Sequence, residues 1–498
     1  MNAERLFVQI FLLSAALAAC SPADAPPPSR PDLVLVVIDT LRADRLSAYG
    51  YERPTSPGLE ALAEKGVLFE DVTAQSTWTL PSMASMLSGR HVFVNAKHMP
   101  PAIPTLAERL KETGYETVAF LGNPALSTPA SGYQRGFDDV LDRDSTGGAN
   151  WDASDLVLAV ENWLKDHPPG DAPRFYYLHF MDPHWPYEPQ GEASLPGTAR
   201  VRDDVLDAWV KRAREDAPIL KNFDQDRRSI LESLDAYDHE ILNVDQELTH
   251  LLDTLIREDK ERLVVVASDH GEGLWDHEHH ANRVEKLHSP ETRTLSNVFF
   301  RDHSYHMFQE LLFTPLIIQG PGFTGGQRIK RPVENVDIAP TLLRAAGLSN
   351  DENLDGQPLQ DVVTGTAPEK PYVFSHSKEA TIVRRTSDNW KLISPTPTGD
   401  AYGMPWMMFK LSTDPYERQN LAPLSSERQA TSPHLNEFRS LIGVRERAAK
   451  EFDLYLEGNA ELSNDEQLQT LRELGYVGSA FDNSDIENDE QPASDSDH

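Results

Sequence analysis

The sequence has little cysteine, little positive charge and no long apolar run. One Cys in 498 residues excludes an intramolecular disulfide framework and any CxxC zinc site. Lys and Arg total 46 against 79 Asp and Glu, a formal charge of −33. That balance, without a basic cluster, excludes a nucleic-acid partner, because phosphate contacts need gathered Lys and Arg. An apolar fraction of 39% and a mean hydropathy of −0.48 exclude a multi-span membrane protein. The length fits several domains, or one large α/β domain with additions.

The lone cysteine is informative through its place. Arg5 precedes the apolar run Leu6–Leu17, interrupted by Gln9 and Ser14, and Leu17-Ala18-Ala19-Cys20 follows. The run is short for a bilayer span and has the proportions of a secretory signal. Its end resembles a bacterial lipobox, which implies a lipid on Cys20, and Ser21 implies sorting to the outer membrane. Residues 1–20 are thus expected to be a lipoprotein export signal. Residues 21–31, rich in Pro, form an extended tether. The chain is expected to be exported, membrane-anchored and facing the periplasm.

Asp32–Asp39 (DLVLVVID), Arg174–Phe180 (RFYYLHF), Arg262–Ala267 (RLVVVA) and Leu316–Gln319 read as buried strands. Helical stretches such as Thr105–Thr113 and the segment from Val201 to Arg257 separate them. This alternation predicts an α/β fold with a largely parallel central sheet. Acidic or imidazole residues follow the first three runs, where open α/β sheets gather ligands. Residues 32–365 form the expected catalytic domain and 366–430 a small β-rich subdomain. A helical tail spans 431–478, with its helix near Asn464–Gly475. Residues 479–498 form a disordered acidic tail; Phe481–His498 holds seven acids and neither Lys nor Arg.

Chemistry concentrates in a few places. Thr79-Leu80-Pro81-Ser82 predicts a turn feeding a helix, with Ser as a cap. A hydroxyl there sits beside unpaired N–H groups and the positive end of the helix dipole. Asp39, Asp269 and His270, with Thr79, supply oxygen and imidazole ligands suited to Zn²⁺ or Mn²⁺ rather than Ca²⁺. Bound to such an ion, Thr79 becomes a nucleophile at neutral pH. Read alone, Thr79 is an ordinary helix cap and Asp269-His270-Gly271-Glu272 a solvated turn.

Several motifs together resemble the sulfatase branch of the alkaline phosphatase superfamily, over Asp32 to Gly478. They are Val37-Ile38-Asp39-Thr40-Leu41-Arg42, Trp78 through Gly89-Arg90, Met181-Asp182-Pro183-His184-Trp185-Pro186-Tyr187, Ser268-Asp269-His270-Gly271-Glu272, Thr314-Pro315-Leu316-Ile317 and Val336-Asp337-Ile338-Ala339-Pro340-Thr341. The resemblance implies a three-layer, alkaline-phosphatase-like sandwich. It also implies a divalent metal, as one or two ions. The departures bear on mechanism. Sulfatases carry Cys or Ser at the position of Thr79 and convert it to formylglycine, with an Arg where this chain has Met83. The family's Asp-Asp pair is here Asp39-Thr40, and its Asp-Asn pair Asp269-His270. The sulfate-binding Lys segment is replaced by Gly122-Asn123-Pro124. In these respects the set resembles phosphodiesterases and phosphoethanolamine transferases with a zinc-bound threonine, which tilts the expectation toward phosphoryl chemistry.

By the same resemblance, His184 and His303 are leaving-group catalysts, and Asp182, His184 and His303 are candidates for a second metal or for substrate. Asn123 is a candidate donor to the transferred group. Trp185 and Tyr187 line a leaving-group pocket or simply pack. His277, His279, His280 and His288 are read as a mobile loop over the site mouth. The expected activity is hydrolysis of phosphate or sulfate esters, of small molecules, glycans or lipids, through Thr79. The alternatives are a sulfatase proper, a phosphoethanolamine-type transferase and a non-catalytic carbohydrate-binding surface lipoprotein. No oligomeric state is assigned.

Overall fold

The computed structural model describes residues 30–92, 98–142, 151–190, 194–255, 260–279, 284, 288–304, 306–348, 354–396, 404–422 and 433–452. The export signal, most of the tether, the Asn464–Gly475 helix, the acidic tail and His280 lie outside the described residues.

The strands are β1 (Asp32–Ile38), β2 (Val67–Phe69), β3 (Val72–Thr73), β4 (Glu116–Leu121), β5 (Asp139–Asp142), β6 (Arg174–Phe180), β7 (Arg262–Ala267), β8 (Gly273–Glu278), β9 (Phe299–Asp302), β10 (Leu316–Gln319), β11 (Gln327–Ile329), β12 (Val333–Glu334), β13 (Tyr372–His376), β14 (Ala380–Arg385), β15 (Trp390–Pro395) and β16 (Met407–Lys410). Eight form one sheet in the order β11-β2-β10-β7-β1-β6-β4-β5. β1 is central and buried at every residue, as a strand covered on both faces must be. Each such apolar side chain contributes about 1.5–3 kcal/mol by burial. The neighbours β7, β6, β4 and β5 run parallel to it. β10 is reversed against both β7 and β2, so Thr314-Pro315 enters the sheet at the carboxyl end of β7, where Leu316 pairs with Ala267.

Strand alternation divides the sheet into two faces. Val34, Val36 and Ile38 join Tyr176, Leu178, Val264 and Val266 in one core, covered by the long helix Ala217–Thr254 through Ile230, Leu234 and Tyr237. Leu33, Leu35 and Val37 join Ala119, Leu121, Phe175, Tyr177, Val265 and Ala267 in the other. That second face is covered by the helix Thr79–Ser88 through Leu80, Met83, Ala84 and Leu87. Three layers result, as the resemblance implies.

The C-terminal β-rich subdomain is a four-stranded antiparallel sheet, β13-β14-β15-β16. One face packs Ile382, Ile393, Met407 and Phe409 on Met307, Phe308 and Leu312 of the main body. The other is covered by helix Leu435–Phe452 through Phe438, Leu441 and Val444. β13 is tied to the segment preceding Thr79: Ser375 Oγ donates to Ala74 O at 2.5 Å and His376 N to Gln75 O at 2.8 Å. Among the described residues no helix is long and apolar enough to cross a membrane.

Candidate active site

Register places the site. Val37 of β1 pairs with His179 of β6 and Ala267 of β7, and His179 pairs with Leu121 of β4. These four residues form one row, and their side chains share the face under helix Thr79–Ser88. Two positions further on, past the strand ends, stand Asp39, Asp269 and Asn123. Alternation therefore carries all three toward the same side. The helix begins at Thr79 with extended Trp78 as its N-cap and no side-chain cap. Ser82 is therefore not the cap the sequence predicts; its hydroxyl donates to Asp269 O at 2.5 Å. The Thr79 side chain, at the first helical position, turns to the strand ends.

The resulting cluster is fully buried. Thr79 Oγ1 lies 3.2 Å from His270 Nε2 and 3.5 Å from Asp39 Oδ2. His270 Nε2 stands 3.3 Å from Asp269 Oδ2 and 3.8 Å from Asp39 Oδ1. Since His270 Nδ1 is 2.8 Å from Gly271 O, a carbonyl that can only accept, Nδ1 carries the proton and Nε2 presents its lone pair. The four expected metal residues are thus brought together.

His179 joins them unforeseen. Its Nε2 donates to Asp39 Oδ2 at 3.2 Å and its Nδ1 meets Tyr177 Oη at 2.8 Å. Asp39, His179 and Asp269 offer ligand atoms all within 4.8 Å of one another. A signal was present: an imidazole inside an apolar strand is costly to bury unless it has work to do.

The turn after β1 is strained. Thr40 has φ 55, a left-handed conformation that costs a β-branched residue about 1–3 kcal/mol. It is held by Tyr237 Oη donating to Thr40 O at 2.8 Å and by Thr40 N donating to Asp269 Oδ1 at 3.3 Å. At the other end of helix Thr79–Ser88, Gly89 takes φ 73 and ends the helix as only glycine does cheaply.

The electrostatics of the cluster favour a cation. Among the described residues no Lys or Arg pairs with Asp39 or Asp269, and Asp39 Oδ1 and Asp269 Oδ2 accept no hydrogen bond. Burial raises the Asp269 carboxyl, and the neighbouring Asp39 charge adds to this. Burial acts the same way on Asp39, but the His179 hydrogen bond and the imidazoles of His184, His179 and His270 hold it below the usual carboxylate range. Burial pushes His270 down, which keeps it neutral. Two orphaned carboxylate oxygens beside a neutral imidazole nitrogen fit a divalent ion.

A second group lies alongside. His303 has its ring 4.6 Å from that of His270 and 5.0 Å from that of His184. Its Nδ1 is 3.0 Å from Asp302 Oδ1 and 3.5 Å from Glu272 Oε1. Burial alone would neutralise His303, yet Asp302 and Glu272 raise it well above the ordinary imidazole range. Glu272, Asp302 and His303 also offer ligand atoms within 4.8 Å of one another. His184 donates Nδ1–H to Trp185 O at 2.6 Å, which turns Nε2 away from that carbonyl.

Three expectations change. Asp182 belongs to neither metal group; its Oδ2 accepts from Ala153 N at 2.7 Å at the start of helix Ala153–Asp166. Asn123 donates Nδ2–H to Asp39 Oδ2 at 2.7 Å and caps helix Pro124–Ser127, so it steadies the carboxylate. His277 is in β8 rather than a loop, buried between Glu310 and the Tyr416 carbonyl. His279 stands against His306 with ring centroids 5.4 Å apart.

Comparison with known proteins now bears on this geometry. A family model described as Sulfatase matches residues 31–348. Another, N-sulphoglucosamine sulphohydrolase, C-terminal, matches residues 299–440. Choline-sulfatase of Rhizobium meliloti is 24% identical over 509 residues, covering 86% of this chain and 91% of the relative. A protein solved in complex with its substrate D-glucosamine-2-N,6-O-disulfate is similar in fold, with TM-score 0.63, 17% identity and coverage of 85% and 98%. Phosphonate monoester hydrolase from Silicibacter pomeroyi is likewise similar, with TM-score 0.59, 20% identity and coverage of 84% and 95%.

Proposed function

The chain belongs to the sulfatase family of ester hydrolases, and from that premise we propose that it is a metal-dependent sulfuric-ester hydrolase whose nucleophile is the unmodified Thr79 hydroxyl. The observation that carries the reading is the approach of Thr79 Oγ1 to His270 Nε2, 3.2 Å, at the foot of a buried carboxylate pair. A divalent ion held by Asp39, Asp269, His270 and Thr79 would lower the hydroxyl pKa and offset the charge of the ester oxygens, and its imidazole-containing donor set favours Zn²⁺ or Mn²⁺.

The protein groups divide the remaining work. With His270 Nε2 given to the ion, Asp39 Oδ2, 3.5 Å from Thr79 Oγ1, is the acceptor within reach of the Thr79 proton. Thr79 Oγ1 attacks sulfur, forming an S–O bond while the bond to the leaving alcohol's oxygen breaks. The N-terminus of helix Thr79–Ser88 brings the positive end of the helix dipole to the oxygens of the group in flight. His303, kept protonated by Asp302 and Glu272, gives a proton to the departing oxygen. Water then attacks the Thr79 ester, and sulfate leaves with Thr79 regenerated.

Phosphate-ester cleavage is the second reading. It is favoured by the Thr79 hydroxyl and the Asp269-His270 pair in place of the sulfatase residues, and by the likeness to a phosphonate hydrolase. Turnover of 4-nitrophenyl sulfate against the matching phosphate mono- and diesters decides between them. A ratio favouring sulfate supports the first reading; turnover of none of the three removes both.

A further inference from the structure

The two inner histidines have outer neighbours that the mechanism leaves unused. Trp185 follows His184 directly, and Arg301 precedes His303 by two residues. The Arg301 guanidinium carbon lies 3.9 Å from the Trp185 ring centroid, while the His184 and His303 rings meet edge to face at 5.0 Å. The same two chain segments thus meet twice, once at the reacting centre and once just outside it. Tyr187 fixes the indole edge-on at 5.3 Å.

Two features separate this pair from ordinary packing. Trp185 is 37% exposed, whereas the indoles of Trp151, Trp163, Trp209, Trp275 and Trp390 are buried. Among the described residues Arg301 makes neither an ion pair nor a hydrogen bond, in a chain with 79 acids and 46 basic residues. Other half-exposed arginines find a carboxylate: Arg328 pairs with Glu70 and Arg418 with Asp204. The acid nearest in sequence, Asp302, is turned to His303. A guanidinium stacked on a ring still presents its N–H edge, the edge that binds oxyanions two bonds at a time.

We propose that Trp185 and Arg301 form a rim subsite that takes a sugar ring bearing a second oxyanion beside the ester being cleaved. The ring lies on the indole, and the second oxyanion pairs with the guanidinium. The proposal rests on the hydrolase reading for the identity of the first group. It also ranks substrates, because the guanidinium over the indole repels a quaternary ammonium head group such as choline.

The test is calorimetric titration of Thr79→Ala protein, which binds without consuming the probe. The probes are glucosamine 6-sulfate, glucosamine-2-N,6-O-disulfate and glucuronate 2-sulfate. The disulfate is expected to bind about tenfold more tightly than the monosulfate, the step typical of one charge-assisted contact. Glucuronate 2-sulfate shows whether a carboxylate serves as the second oxyanion. Arg301→Gln in the same background should bring the disulfate preference to about one, while Arg301→Lys keeps part of it. Trp185→Leu should weaken both glucosamine sulfates several-fold, leaving their ratio intact. A preference that survives Arg301→Gln overturns the subsite, as does the absence of binding by either glucosamine sulfate. If the expected pattern appears while the unaltered enzyme leaves 4-nitrophenyl sulfate intact, the subsite stands and the hydrolase reading falls.

Discussion

His179 Nε2, in β6, lies 3.2 Å from Oδ2 of Asp39, the residue that follows the neighbouring parallel strand β1, and both side chains are wholly buried. The imidazole therefore fixes one oxygen of the carboxylate and leaves Oδ1 for the cation. Its own orientation comes from Tyr177, two residues back on the same face. His179→Ala should lower zinc or manganese affinity by about 10–100-fold, the usual loss when a group orienting a ligand is removed. Metal content after dialysis against a buffered ion series measures it.

Thr79→Ala should remove turnover by at least about a thousandfold, because no other hydroxyl replaces an attacking group held in this geometry. Thr79→Ser keeps the oxygen and should retain a measurable part of kcat. Steady-state kinetics on 4-nitrophenyl sulfate reads both; an active alanine variant takes Thr79 out of the mechanism.

Removing the ion should cost stability as well as activity. Asp39 and Asp269 then face each other across a buried site with two oxygens unpartnered. At a free metal concentration a hundred times Kd, binding contributes about 2.7 kcal/mol. Melting temperature with and without chelator should fall accordingly, and re-addition of Zn²⁺ or Mn²⁺ should restore it.

Glu240 gives a pH signature. Burial, with the nearby Asp182 charge, pushes its carboxyl up to about 9 from an ordinary 4.5. The folded state thus holds a proton that the unfolded state releases, so this contribution is complete below pH 4.5 and declines as pH rises toward 9. Glu240→Gln should raise stability by about 1–3 kcal/mol at pH 8 and have little effect at pH 5. Denaturant titrations at the two values compare them.

Lys391 and Glu417 pair at 2.7 Å, both buried, where the C-terminal sheet meets the main body. Lys391→Met strands the Glu417 charge and should destabilise by about 3–5 kcal/mol. Adding Glu417→Met should recover much of that loss, since the buried charge goes with it. A double-mutant cycle by chemical denaturation gives the coupling.

Much of this was legible in the chain. The apolar runs at Asp32–Asp39, Arg174–Phe180 and Arg262–Ala267 announced buried strands, since an all-apolar run has no polar face to give to water. Asp39 and Asp269-His270, at the ends of two of them, come together with Thr79 in the candidate site. Asp182 lies apart from them, its carboxylate accepting from Ala153 N at the start of a helix 29 positions earlier in the chain, a pairing no local pattern announces. Ser82 was misread as a cap because the pattern names which residues can cap, not where the first turn begins.

Local chemistry along the chain thus determined the strands and named most of the residues that gather in the candidate site, because periodicity and strand ends are properties of neighbours in sequence. Only the tertiary structure decided that His179 stands against Asp39, that Asn123 serves the carboxylate, and that Trp185 meets Arg301. Those pairings depend on strand register and loop approach between residues separated by roughly a hundred positions. No spacing rule spans such distances; packing of the two sheet faces sets them.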